Sequence, residues 1–330
     1  MSALTRDASA SPKDLAPARP RRVRGLLWLV LNQHRTALIV CAAVVVLGAA
    51  WIVYQRAAML DTLHAAGWPA KPVDSLGGNI ANDVSNNLDA FGNLLTGLPV
   101  LLGVFLGAPL IAADQENGTA RLAMTQSVSR GRWLAWKLGF ALVTAVVTTQ
   151  ILSLFFAWWW RSAGSVARTD WLDGPHFDAM GPVPVATALF ATSLGIVIGA
   201  LTRRTVGSML VTFLIVYAVT AVAEQYRSLL GTPRRLSYPL GGEEPAVLDN
   251  TVRLDDWVGT ESGRVYGWST CVKESAPEAC RAQLGIVNSV RDYLGPDQLP
   301  GMQWAATGVY AALAAALVTG LLWWSRRRAL

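Results

Sequence analysis

The sequence predicts an all-α, polytopic integral membrane protein with six transmembrane helices. Of its 330 residues, 52% are hydrophobic and only 15% are charged, and that charged share is well below the roughly 25% usual in soluble domains. A helix needs about 20 mostly apolar residues to cross a bilayer. Six stretches meet this requirement, at residues 36–54, 94–113, 134–160, 183–201, 206–223 and 304–324.

The segments between these runs give the domain organisation. Residues 1–24 form a basic leader rich in Pro, Ala and Arg, which we expect to be disordered and which lacks a secretion-signal cleavage pattern. Residues 25–224 form a membrane domain whose fourth and fifth spans are joined by four residues, so they make an antiparallel hairpin. A large segment, 225–303, precedes the sixth span and basic tail at 304–330.

Charge asymmetry predicts the orientation. One alternate set of loops, including both termini, carries 16 Lys and Arg against 4 Asp and Glu, whereas the other set carries 12 against 17. Basic loops favour the cytoplasm, so we expect both termini in the cytoplasm, the segment 225–303 outside, and the basic pI to report topology rather than nucleic-acid binding. We expect Asp114 and Glu224 to be solvated residues at span ends, and Arg130, Arg132 and Lys137 to lie near lipid phosphates.

The cysteines agree with this orientation. Cys271 and Cys280 both fall in the segment predicted to be external, where disulfides persist. We expect them to be bridged, which closes a loop of about ten residues and contributes roughly 2–3 kcal/mol in the chain-entropy model. The alternative is a metal site, which the absence of histidine from this segment disfavours. A helix near residues 279–294 is also expected.

Motifs of common hydrolytic chemistry are missing from the sequence. It contains no phosphate-binding loop, no H-E-x-x-H and no G-x-S-x-G, and its three histidines lie in different segments. The span centres also contain almost no ionisable residue of the kind that ion-coupled transporters use. We therefore expect no enzymatic site, no metal and no cofactor in this chain, and an energy source elsewhere.

The loop at residues 114–137 is the most informative stretch. Glu116, Asn117 and Gly118 predict a turn, and Thr119 is placed to cap a short helix at about 120–127. Arg121 and Leu122 would lie on that helix, and the segment around Arg130 would end it and start the next span. From these features alone, an interfacial loop with basic lipid anchors is the favoured interpretation.

The order of an acidic residue, Gly-Thr, a short helix, "TQSVSR" and then "W..K" resembles the loop between the second and third spans of ABC permeases of the type-2 exporter class. The stretch "LLWLVLNQHRTAL" at 26–38 resembles that family's amphipathic interface helix; as an alternative, it lengthens the first span. Ser127 and Val128 stand where family members commonly have proline.

The resemblance implies a coupling helix gripped by a separate ATPase. In that role Glu116 would pair with a basic residue of the partner or of the interface helix, Gly118 would permit the turn, and Thr119 would cap. Further along, Arg121 and Leu122 would face the ATPase. ATP and Mg would be bound only by that partner.

Arg130 would hold the loop to the membrane or to the ATPase groove. The resemblance also implies a second permease chain, identical or different, and a bacterial cytoplasmic membrane as the location. The apolar spans suit a hydrophobic or amphipathic substrate. The alternative function is a membrane-anchored sensor or assembly factor that acts through the external segment.

Overall fold

The computed structural model describes residues 31–118, 130–167, 170–172 and 174–327. Within these ranges, six helices are long and apolar enough to cross a membrane, which confirms the predicted spans. They are Arg35–Ala66, Asn79–Glu116, Gly131–Ala163, Val183–Thr202, Thr205–Gln225 and Pro296–Arg327. The leader 1–24 lies outside the described residues. Of the predicted interface helix, the described residues 31–33 are helical and a turn follows at His34.

In chain order, the described part of the chain has seven α-helices first, then four strands with one short α-helix among them, and finally the last long helix. They are α1 Arg35–Ala66, α2 Gly78–Leu102, α3 Pro109–Glu116, α4 Arg130–Ala163, α5 Gly174–Ala179, α6 Val183–Thr202, α7 Thr205–Gln225, β1 Arg234–Pro239, β2 Val252–Thr260, β3 Val265–Gly267, α8 Pro277–Leu284, β4 Ile286–Leu294 and α9 Leu299–Arg327.

The second span begins well before the apolar run that predicted it. Helix α2 starts at Gly78 because its Asn-rich first half carries an apolar stripe at a spacing of three and four residues. The buried members of that stripe are Ala81, Val84, Leu88, Phe91, Leu95, Leu98 and Leu102. A π-helical turn, Gly103–Gly107, joins α2 to α3, which starts at Pro109.

Helix α6 lies at the centre of the bundle, and most of its residues are buried. It packs against α2, α4, α7 and α9. Two of its glycines allow the second span to come close: a Cβ at Gly195 would collide with the carbonyl oxygen of Gly103, and one at Gly199 with that of Ala108. Small residues permit this kind of backbone approach in membranes.

A methyl group at Gly199 should therefore destabilise the protein. We expect Gly199→Ala to lower the free energy of unfolding by about 1–3 kcal/mol, because the neighbouring carbonyl belongs to backbone and cannot rotate away. Gly207→Ala is the matched control, since the nearest atom to its added carbon is 3.9 Å away. Thermal unfolding of the detergent-purified variants measures both. Equal melting temperatures would contradict the packing argument.

The segment before the last helix folds as a four-stranded antiparallel sheet in the order β1-β4-β2-β3. The helix expected near residues 279–294 was predicted wrongly in its second half. Helix α8 ends at Leu284 and is capped by Gly285, whose φ is +69°, and β4 follows directly. The strand is favoured by the β-branched residues Ile286, Val287 and Val290.

The predicted disulfide is confirmed. Cys271 and Cys280 are bonded, with their Cα atoms 5.7 Å apart, and the bridge packs with Val258 and Ile286 in a small cluster on the sheet. A cross-strand ion pair adds to the sheet, since the Nε of Arg291 donates to a carboxylate oxygen of Asp256 at 2.9 Å. Residues 234–294 thus form an ordered domain, hereafter called the sheet domain.

Candidate coupling site

The two ends of the loop at residues 114–137 are joined by a buried ion pair. Helix α3 presents Asp114 and the second turn of α4 presents Lys137, whose side chain is fully buried. The Lys137 ammonium group donates to the Asp114 carboxylate and, at 2.9 Å, to the carbonyl oxygen of Leu110. It also lies 4.8 Å from the ring centroid of Trp133. A charge is tolerated in such a place only when it is paired and hydrogen-bonded.

The structure corrects two expectations here. Lys137 does not lie among lipid phosphates, and Asp114 is not a freely solvated end residue. Both belong to one contact between the second and third spans. The signal was present in the sequence, because Lys137 falls inside the apolar run 134–160, and an ionisable residue at such a position marks a functional or structural site.

The segment before the first span joins the same contact. The Nε2 of Gln33 donates to the second carboxylate oxygen of Asp114 at 3.0 Å. The ring of His34 stacks on Phe140 of α4, with centroids 5.3 Å apart. Burial, helped by the positive charge of Lys137, lowers the pKa of His34 from 6.5 to about 4, so the imidazole is neutral at physiological pH.

Glu116 connects the loop to the fifth span. Its Oε2 accepts the backbone N–H of Thr205 at 2.9 Å. Thr205 is the first residue of α7, where backbone N–H groups lack partners within the helix and a carboxylate is favourable. Pairing of Glu116 with a basic residue of a partner stays a prediction.

The structure describes only some of the remaining predicted coupling residues. Gly118 has a φ of +72° and open space where a Cβ would stand, so the turn needs glycine for its backbone conformation and not for lack of room. Thr119, Arg121 and Leu122 lie outside the described residues. The backbone of Arg130 begins α4, and its side chain lies outside the described part.

The base of the loop is therefore one assembly, hereafter called the loop base, formed by Gln33, Asp114, Glu116, Lys137 and Thr205. A cavity of about 390 Å³ lies beside it. Its lining includes Gln33, His34, Phe105, Pro109, Asp114 and Asn117.

Comparison with known proteins identifies the family. The model of the family described as "ABC-2 membrane transporter related" matches residues 42–227, which is more than half of the chain. The chain belongs to this family. The family resemblance inferred from the loop at 114–137 is thereby confirmed, and the ABC-2 match ends just before the sheet domain. No curated protein and no solved structure matches the chain.

As an ABC-2 family member, the chain is a multi-pass membrane subunit of a transporter complex, a kind of subunit that generally carries no ATPase activity of its own. Sequence reasoning missed a second group of charged residues on the opposite side of the bundle. The buried Arg227 forms an ion pair there with the partly exposed Asp178, and His176 contacts Asp89 at 3.0 Å. The available signal was the presence of three of these residues in short connections directly beside span ends.

Proposed function

We propose that the chain is the permease subunit of an ABC exporter in a bacterial cytoplasmic membrane, driven by a separate cytoplasmic ATPase that binds ATP and Mg. In this proposal both termini and the loop at 114–137 face the cytoplasm, and the sheet domain faces outside. A second permease chain, identical or different, completes the pathway. The family match and the charge distribution between loops support this arrangement.

The loop base is the observation that carries the proposal. One short loop is tied to the pre-span segment through Gln33, to the third span through Lys137 and to the fifth span through Thr205. A force applied to the loop therefore reaches three parts of the bundle through hydrogen bonds and ion pairs, without needing a long relay.

Coupling also requires that the ATPase hold this loop differently in its ATP-bound and nucleotide-free states. In the mechanism we propose, closure of two ATPases on ATP moves the loop, and the loop base turns that movement into a tilt of the second, third and fifth spans. The transported molecule is hydrophobic or amphipathic, in keeping with the apolar surfaces of the spans.

Charge reversal at Glu116 tests this function. We expect a soluble ATPase to co-purify with tagged wild-type chain from detergent-solubilised membranes, and to be lost or uncoupled with Glu116→Arg. Reversal removes the acceptor for the Thr205 N–H and places a positive charge beside Arg204. The measurements are the co-purified ATPase and the substrate-stimulated rate of ATP hydrolysis.

Two variants make the test specific. Glu116→Gln keeps an oxygen acceptor for Thr205 but removes the charge, so it separates capping from charge recognition. Glu243→Arg makes the same charge reversal on an exposed position of the sheet domain and should leave the ATPase bound. If no ATPase accompanies the folded wild-type chain, the exporter proposal is wrong.

The sheet domain supports a second candidate function. A disulfide-bonded, ordered domain before the last span suits a membrane-anchored sensor or assembly factor that recognises a ligand with that domain. The two candidates differ in what they require. A sensor keeps its function without any ATPase and loses it when the sheet domain is removed.

A further inference from the structure

A second cavity, of about 260 Å³, lies between α2, α5, α6, α7 and α9. It shares no residue with the loop base. Its lining residues are Asn93, Thr96, Gly97, Pro99, Val100, Gly174, Asp178, Thr187, Tyr217, Thr220, Ala221, Glu224 and Tyr310. Two carboxylates and two phenol rings are therefore brought to one small space.

The charges around this cavity do not balance. Arg227 is buried, and it donates to the Asp178 carboxylate and to the carbonyl oxygen of Leu172 at 2.5 Å. Its guanidinium carbon also lies 4.7 Å from the ring centroid of Phe177, so this cation is fully engaged. Glu224, at the end of α7, has no ion pair among the residues that the structure describes. With both carboxylates ionised, one negative charge is left over among the described residues at the cavity.

Three hydroxyl groups in the lining are available only as acceptors. Thr96, Thr187 and Thr220 each donate their hydroxyl hydrogen to a carbonyl oxygen of their own helix, at 2.8, 3.0 and 3.0 Å. Their oxygens can then only accept a hydrogen bond from anything in the cavity. Tyr217 and Tyr310 add aromatic rings to the lining, and the face of such a ring attracts a cation within about 6 Å.

These features favour an organic cation over a metal ion. Within the described part of the chain, no group of three or more His, Cys, Asp or Glu side chains is placed to hold a metal. Aromatic rings and aliphatic residues such as Val100 and Ala221 instead suit an ammonium group that carries hydrocarbon. Leu214, exposed on α7 three residues before Tyr217 and so on the same side of the helix, offers an apolar surface for the hydrocarbon part of such a molecule.

We propose that this cavity binds the ammonium group of a monovalent, amphipathic organic cation, with Glu224 and Asp178 supplying the negative charge and Tyr217 and Tyr310 the ring faces. The further idea that this cation is the transported substrate rests on the permease function proposed above. Binding of the cation does not depend on that function, because binding is a property of the single chain.

The test uses the full chain in lipid nanodiscs and benzyltrimethylammonium as the probe, with binding measured by equilibrium dialysis at pH 7.5 against empty nanodiscs. Saturable binding to wild type is expected, and Glu224→Gln should weaken it by about five- to tenfold. Glu224 is exposed and without an ion pair in the described structure, so its change to glutamine should not disturb folding. Glu243→Gln makes the same change of charge on the sheet domain and should bind as wild type does.

Three results would overturn the proposal: no saturable binding to folded wild type, equal binding by Glu224→Gln, or equal binding of the anion benzenesulfonate. The outcome is separable from that of the exporter function, because Glu224 is not part of the loop base. Cation binding that depends on Glu224 in a chain with no ATPase partner would reject the exporter and retain the cavity. An ATPase that co-purifies with a chain unable to bind the probe would do the reverse.

Discussion

Replacing Lys137 by methionine is expected to destabilise the protein by about 3–5 kcal/mol and to abolish its coupling to an ATPase. Removing one member of a buried ion pair leaves the other charge uncompensated, and that loss is among the largest single-residue effects. Here the Asp114 carboxylate and the carbonyl of Leu110 both lose their ammonium donor. Thermal unfolding in detergent measures the stability, and ATP hydrolysis by the purified complex measures the coupling.

A double variant separates the two effects. Lys137→Met combined with Asp114→Asn removes the isolated charge, so it should recover a large part of the lost stability. Coupling should remain impaired, because the ionic connection between the second and third spans is still absent. If the double variant hydrolyses ATP in response to substrate as wild type does, the loop base is only a stabilising contact.

The positions of the six spans could be predicted from sequence because length and apolarity depend on each segment alone. The ends of the helices could not be predicted in the same way. Helix α2 continues through an Asn-rich stretch, since Val84 and Leu88 pack against neighbouring helices as members of an apolar stripe. A hydropathy window averages over such a stripe, whereas a search for helical periodicity detects it.

The sheet domain shows the opposite situation. Residues 286–294 pair with β1 on one side and with β2 on the other, and the nearest partner strand ends 26 residues earlier, at Thr260. Arg291 is neutralised only when folding brings Asp256 of β2 and Glu244 beside it. No local pattern contains this information. The disulfide was predictable because its two cysteines are close in the sequence and share one segment.

The candidate sites divide in the same manner. The turn at Gly118 is local and was predicted, whereas the partners of Asp114, Glu116 and Asp178 lie 23, 89 and 49 residues away in the chain. Sequence reasoning identified the coupling loop through its motif, and the structure then showed which side chains fix its base. The acceptor-rich cavity required the packing of five helices and had no motif at all.

Replacing Arg227 by methionine should cost about 3 kcal/mol, the lower end of the range for a broken buried pair because the Asp178 side chain is one-third exposed, and this loss should grow as the pH rises from 5 to 8. Burial raises the pKa of Asp178 from 3.8 to about 6, against the opposing effect of Arg227 and with a smaller contribution from the negative charge of Glu224. Without Arg227 that pKa must rise further. At pH 5 the carboxyl is mostly protonated in wild type and variant alike, so the variant loses hydrogen bonds but leaves no buried charge.

At pH 8 the wild-type carboxylate is ionised and paired, whereas in the variant it must either stay ionised without Arg227 or take up a proton at a cost. For a carboxyl whose pKa is raised by folding, stability falls as the pH rises from the unfolded value toward the folded value, and the variant extends that fall to higher pH. Among the described residues, Glu224 and Tyr310 interact electrostatically with Asp178, and His176 lies two residues before it.

The pair of Arg235 and Asp292 in the sheet domain provides the control. There the hydrogen bonds from Arg235 hold the pKa of Asp292 below its usual range, so its contribution is lost only as the pH falls below about 4. Arg235→Met should therefore lower the melting temperature by the same amount at pH 5 and pH 8, and by less than Arg227→Met. A drop for Arg227→Met that does not change between these pH values would show that Asp178 is not the titrating group. In that case, protonation of Asp178 would give no reason to expect weaker cation binding at pH 5 than at pH 7.5.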